Sequence, residues 1–85
     1  MIRYKINLTK KAKKQLDKMS DAIAFPILTA IENLAKNRMP LGYKKLKGRK
    51  GYRIRVGNYR VIYEIFDEVL LIEVIDLGHR KDIYD

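Results

Sequence analysis

Residues 51–65 read GYRIRVGNYRVIYEI, and this stretch decides the fold. Tyr52, Ile54 and Val56 alternate with Arg53 and Arg55. Tyr59, Val61, Tyr63 and Ile65 alternate with Arg60, Ile62 and Glu64. An apolar–polar period of two marks a strand with one buried face. Gly57-Asn58, between the two runs, fits a two-residue hairpin turn. With that turn Val56 faces Tyr59, Arg55 faces Arg60 and Ile54 faces Val61. Tyr52, Ile54, Val56, Tyr59, Val61 and Tyr63 then share the core face, and Arg53, Arg55 and Arg60 share the other. Like charges facing one another weaken a sheet. A fold that keeps them is expected to bind an anion, and the anion expected is a nucleic-acid phosphate.

Working outward, Asp67-Glu68 makes a second tight turn, and VLLIEVIDL (69–77) reads as a strand at the sheet centre or buried on both faces. Gly78 ends it, and HRKDIYD (79–85) is a polar tail. The register carries Leu71, Glu73 and Ile75 onto the arginine face, with His79 following if the strand runs on. Upstream, Ile2, Tyr4, Ile6 and Leu8 alternate with Arg3, Lys5 and Asn7, a half-buried strand. Thr9 caps a short amphipathic helix whose stripe is Ala12, Leu16 and Met19. Ser20 offers a second cap, and Ile23, Ile27, Ala30, Ile31 and Leu34 follow at helical spacing. Pro26 either kinks this helix or begins it. Residues 37–51 are glycine-rich loop with one short strand around Leu46. The expected fold is α+β: a strand, a two-helix hairpin, then a three-stranded antiparallel meander, in one twisted sheet (β-α-α-β-β-β).

Charge is distributed unevenly. The 85 residues carry 19 Lys and Arg against 10 Asp and Glu, a net charge of +9. Between Glu32 and Glu64 there is no acid, while Lys36 to Arg60 holds ten basic side chains. Such a stripe on a folded body favours polyanions. The length suits a single domain, 1–85. Cysteine is absent, which excludes a disulfide scaffold, thiolate chemistry and a cysteine zinc site. No apolar stretch approaches the roughly 20 residues of a membrane span. The charged, alternating start is unlike a signal peptide. A cytoplasmic protein without membrane partner or small-molecule cofactor is expected.

With KLKGRKGYRIRVGNYRVIYEI (45–65) and GHRKDIY (78–84), the chain resembles the RelE/ParE superfamily of toxins from type II toxin–antitoxin pairs. The resemblance covers essentially the whole chain. It implies a small toxin held inactive by an acidic antitoxin. In the RelE branch it further implies a metal-independent endoribonuclease that cleaves mRNA in the ribosomal A site, the mRNA's own 2′-OH attacking the scissile phosphate. By position, Arg53 and Arg55 match basic residues lining the site, and Arg60 an arginine contacting the scissile phosphate. Arg80 matches an arginine that stabilises the transition state or leaving group. Tyr84 matches a tyrosine that stacks on a base or orients the 2′-OH. Lys44, Lys45 and Lys47 fall in the rRNA-binding loop and strand, with Arg49 and Lys50 in the same basic stretch.

Some relatives carry lysine, proposed as general base, where this chain has Arg55. Arginine stays protonated, with a pKa above roughly 12, and is a poor base. His79, the one histidine, has the right ordinary pKa for general acid work. Glu64 is the carboxylate nearest the arginine face, either a base or the salt-bridge partner of an arginine. The ParE branch implies a different outcome, inhibition of DNA gyrase without the catalytic set. A non-catalytic RNA-binding relative is the third reading.

Overall fold

The computed structural model describes residues 2–79. Five strands form one mixed sheet in the order β1-β5-β4-β3-β2. Their spans are β1 (Lys5–Leu8), β2 (Lys44–Lys45), β3 (Tyr52–Val56), β4 (Tyr59–Phe66) and β5 (Leu71–His79). Two helices, α1 (Lys10–Asp17) and α2 (Asp21–Leu34), lie between β1 and β2 in the chain. The expected α+β order holds. The first strand is added as an edge parallel to β5, pairing Lys5 with Leu71 through Leu8 with Val74.

The helices cover one face of the sheet. Ile27, Ile31 and Leu34 of α2 and Ala12 of α1 pack on Ile54, Val61, Tyr63, Ile72, Val74 and Leu77. Of these, Ile27, Ile31, Leu34, Ala12, Ile54, Val61 and Tyr63 are the residues that period-two and helical spacing assigned to the interior. Leu16, Met19, Ile23 and Ala30 pack around them, half-buried. The second helix begins at Asp21 and continues through Pro26, which resolves the alternative left by the sequence. Ser20 stands at its N-cap position, its backbone carbonyl accepting from the Ala24 N–H at 2.8 Å.

Thr9 caps α1 as expected. Its hydroxyl accepts from the Ala12 N–H at 3.2 Å and donates to the Ile75 carbonyl at 3.0 Å. This ties the helix to β5 beyond the point where β1 ends. Sheet edges left bare are templates for unwanted pairing, and α1 covers this one with side chains. Gln15 Oε1 accepts the Leu77 N–H at 2.9 Å, while Gln15 Nε2 donates to Asp76 at 2.7 Å. Lys11 completes the cover with a 3.0 Å ion pair to Asp76.

Two expectations about β5 are corrected. The strand runs through Gly78 to His79 rather than ending at Gly78, because Gly78 still pairs with Arg60. It is an interior strand between β1 and β4 rather than the central one, and only Ile72, Val74 and Leu77 are fully buried; the residues between them are half-exposed. The expected Asp67-Glu68 turn is a single turn of 3-10 helix, Asp67–Val69, closed by Leu70 at φ 51°.

Candidate nucleic-acid interface

The hairpin of β3 and β4 has the register read from its sequence. Val56 pairs with Tyr59, Arg55 with Arg60, Ile54 with Val61 and Arg53 with Ile62. Gly57 has φ +59° while Asn58 stays at negative φ, the φ pattern of a type II′ turn. Tyr52, Val56 and Tyr59 pack against the core, and Ile54, Val61 and Tyr63 lie within it. Arg53, Arg55 and Arg60 therefore alternate onto the face away from the helices.

Two rows of residues cross that face. Lys44, Arg53, Ile62 and Asp76 form one, and Arg55, Arg60 and Gly78 the next. Gly78, opposite Arg60 on β5, adds no side chain to that row. The three arginines differ in exposure. Arg53 is 3% exposed, Arg60 half-buried and Arg55 exposed. A guanidinium stays charged in a protein, so β3 carries a buried positive centre at Arg53 and an exposed one at Arg55. A guanidinium presents paired donors that match phosphate oxygens.

The basic loop before β3 is pinned to the same face. Leu46 is buried against Ile62, and its N–H donates to the Gly51 carbonyl at 3.1 Å. Gly51 sits at φ +118°, where a Cβ would stand 3.1 Å from the Tyr63 carbonyl oxygen; only glycine lets the chain pass so close to β4. Lys44, Lys45, Lys47, Arg49 and Lys50 are all exposed around this anchor. Their charges form a rim beside the arginine rows.

An acidic row lies further along the sheet, where Glu64 pairs with Glu73 and Glu73 with Asn7. Asn7 Nδ2 donates to Glu73 Oε2 at 3.2 Å. Leu71 pairs with Phe66, so Leu71 and Glu73 lie on the arginine face as expected. The ion pairs among the described residues are Lys11–Asp76 and Arg38–Asp67, and Glu64 belongs to neither.

His79 is not where the register placed it. The pairing of β4 with β5 shifts between Ile62 and Tyr63: Tyr63 faces Val74, but Ile62 faces Asp76, leaving Ile75 as the extra residue of a bulge. One extra residue reverses the faces beyond it. Leu77 thereby returns to the core and His79 pairs with Tyr59, its ring edge-on at 5.4 Å. His79 lines a cleft with Ile23, Pro26 and Val56, on the helix side of the sheet. Arg80 and Tyr84 lie outside the described residues.

Sequence reading also passed over Tyr43. It precedes β2, and its ring lies 6.0 Å from that of Tyr52, tilted by 55°; the cross-strand partner of Tyr52 is Lys45. The signal available was period two: Tyr43 and Lys45 share a face one strand out from Tyr52.

Comparison with known proteins gives consistent relatives. The profile of the family described as the ParE toxin of type II toxin–antitoxin systems matches residues 6–84. Toxin RelE3 of Methanocaldococcus jannaschii is 44% identical over 50 residues, spanning 58% of this chain and 54% of that protein. The RelB–RelE antitoxin–toxin complex from Methanococcus jannaschii contains a chain 34% identical, with a TM-score of 0.72 and coverage of 93% of this chain and 95% of that one. The archaeal RelE–RelB complex from Pyrococcus horikoshii aligns with a TM-score of 0.82 at 27% identity, covering 98% of this chain and 100% of its counterpart.

Proposed function

The chain belongs to the ParE toxin family of type II toxin–antitoxin systems, within the RelE/ParE superfamily, and from that premise we propose that it is a RelE-like, ribosome-dependent mRNA endonuclease. The observation that carries this reading is the pair of basic rows on the face of the sheet away from the helices, with Arg55 directly opposite Arg60 and Arg53 beside Lys44. Fold alone does not require such a concentration of guanidinium groups, and their repulsion weakens the hairpin.

In this reading the lysine and arginine rim, Lys44, Lys45, Lys47, Arg49 and Lys50, binds rRNA. Arg55 and Arg60 hold the mRNA backbone around the scissile phosphate, and the buried Arg53 adds its charge to that face from within the sheet. As the 2′-OH attacks, charge grows on the phosphate oxygens, and fixed guanidinium donors stabilise that charge more than the ground state. Arg80 and Tyr84 are assigned by family position to the leaving group and to base stacking or 2′-OH orientation. Proton transfer is not assigned to His79, which lies against Tyr59 on the other side of the sheet. Neither metal nor cofactor enters the scheme.

Relatives of this fold are seen in RelB–RelE complexes. By extension, this chain is held inactive by an acidic antitoxin that orders as it binds the basic surface. A second reading, inhibition of DNA gyrase, is favoured by the ParE description of the matching family. A purified translation reaction separates the two: cuts in a defined mRNA only when ribosomes translate it support the endonuclease, whereas intact mRNA with inhibited gyrase supports the other.

A further inference from the structure

Three tyrosine rings form a ladder from the core to the outer edge of the sheet. Tyr63 is fully buried, and its hydroxyl donates to the Arg38 carbonyl at 2.8 Å. Tyr52 stands 5.8 Å from it, centroid to centroid and tilted by 31°, and Tyr43 a further 6.0 Å out, tilted by 55°. Tyr43 ends the ladder with 38% of its surface exposed. Lys45 holds its Nζ 5.3 Å from the Tyr52 centroid.

A tyrosine that only sealed the core would bury its ring as Tyr63 does. Tyr43 instead lies in the acid-free stretch between Glu32 and Glu64, next to Lys44 and Lys45. Aromatic rings set among basic side chains bind single strands by stacking bases while the cations take phosphates. The strand order adds a geometric reason. β2 is the edge of the sheet and only two residues long, with Lys45 paired to Tyr52 and Lys44 paired to Arg53. A polyanionic strand turning over this short edge meets Lys45 on the ladder side and Lys44 on the arginine side.

We propose that the Tyr43 edge is a base-stacking subsite for single-stranded RNA, in which an unpaired nucleobase extends the Tyr63–Tyr52–Tyr43 ladder and Lys45 takes the adjoining phosphate. The subsite deepens the endonuclease reading and rests on it for the identity of the polyanion. It would guide RNA over the sheet edge toward the exposed Arg55 and would itself take no part in bond breaking.

The test is equilibrium binding of a short single-stranded RNA carrying a fluorescent base analogue to the purified full chain, over a range of salt. Stacking predicts quenching of the analogue by the unaltered chain. Tyr43→Ala is expected to weaken binding roughly fivefold or more with the salt slope unchanged. Tyr43→Phe, which keeps the ring and serves should the alanine variant be unstable, is expected to bind as the unaltered chain does. Lys45→Gln is expected to make the slope shallower by about 0.7. Equal affinity for Tyr43→Ala and the unaltered chain, or no quenching, would overturn the subsite and leave the edge as a protein-binding surface. RNA bound through Tyr43 by a chain that leaves translated mRNA intact would keep the subsite and remove the endonuclease reading. Ribosome-dependent cleavage with binding indifferent to Tyr43 would do the reverse.

Discussion

Arg55 on β3 lies directly across the hairpin from Arg60 on β4, two guanidinium-bearing residues paired on the face of the sheet away from the helices. Facing like charges lower stability, while converging guanidinium groups suit a phosphate. Stability and activity should therefore move in opposite directions. Arg55→Gln is expected to raise stability by about 0.2–1 kcal/mol, measured by urea denaturation, and to lower mRNA cleavage. The gain should shrink at high salt, where surface repulsion is already screened. Arg60→Ala should reduce cleavage by about 100-fold or more if the arginine stabilises transition-state charge.

His79 supplies a contrasting case. It stands against Tyr59 beyond the bulge at Ile75, facing the helices rather than the arginine rows. His79→Gln should keep ribosome-dependent cleavage within about threefold of the unaltered chain, well short of the roughly 100-fold typical of a lost general acid. A collapse of activity together with loss of the alkaline limb of the pH–rate profile would restore the histidine as a proton donor.

The edge cover on β5 depends on one side chain. Gln15 accepts the Leu77 N–H and donates to Asp76, and Leu77 is itself in the core. Gln15→Leu removes both bonds and leaves a backbone donor without its acceptor, which costs about 1–3 kcal/mol. Thermal denaturation should show this loss. Amide exchange should speed up at Leu77 before it does at Ile72, whose strand segment is flanked by β1.

At the far end of the sheet, the Tyr4 hydroxyl donates to Asp67, and Arg38 Nε donates to the same carboxylate oxygen at 2.9 Å. The Tyr4 bond, then the Arg38 charge, hold the Asp67 carboxyl below its ordinary range. The same hydrogen bond pushes the Tyr4 hydroxyl up. A depressed carboxylate contributes stability that is present above the unfolded pKa of about 3.9 and is lost as pH falls through the folded value. The raised tyrosine contributes below about pH 10 and its share is lost as pH climbs beyond. Urea midpoints should therefore be flat between those limits and fall on both sides. Asp67→Asn should flatten the acid limb and bring the alkaline one closer to that of a free tyrosine.

Much of this fold was legible because it is written in local periods. The hairpin register followed from the placement of Gly57-Asn58 between two alternating runs, and the buried stripe of α2 from Ile27, Ile31 and Leu34. What escaped was set by contacts distant in sequence. The bulge at Ile75 is stabilised by Thr9, whose hydroxyl donates to the Ile75 carbonyl from 66 residues away. Nothing in the run VLLIEVIDL marks it, since both isoleucine positions look equally apolar. The face of His79 was misread for that reason alone. The burial of Arg53 likewise depends on neighbours outside its own strand, and Tyr43 became visible only when β2 brought it beside Tyr52.

The central claim is that the basic rows act on mRNA held by a ribosome. The direct measurement is primer extension on a defined mRNA after incubation with the chain in a purified translation reaction, run with and without ribosomes. New ends at A-site codons only in the presence of translating ribosomes, lost in Arg60→Ala, are the expected result. Full-length mRNA throughout, from a chain that still arrests growth, would contradict the endonuclease and move the arginine face to a protein-docking role.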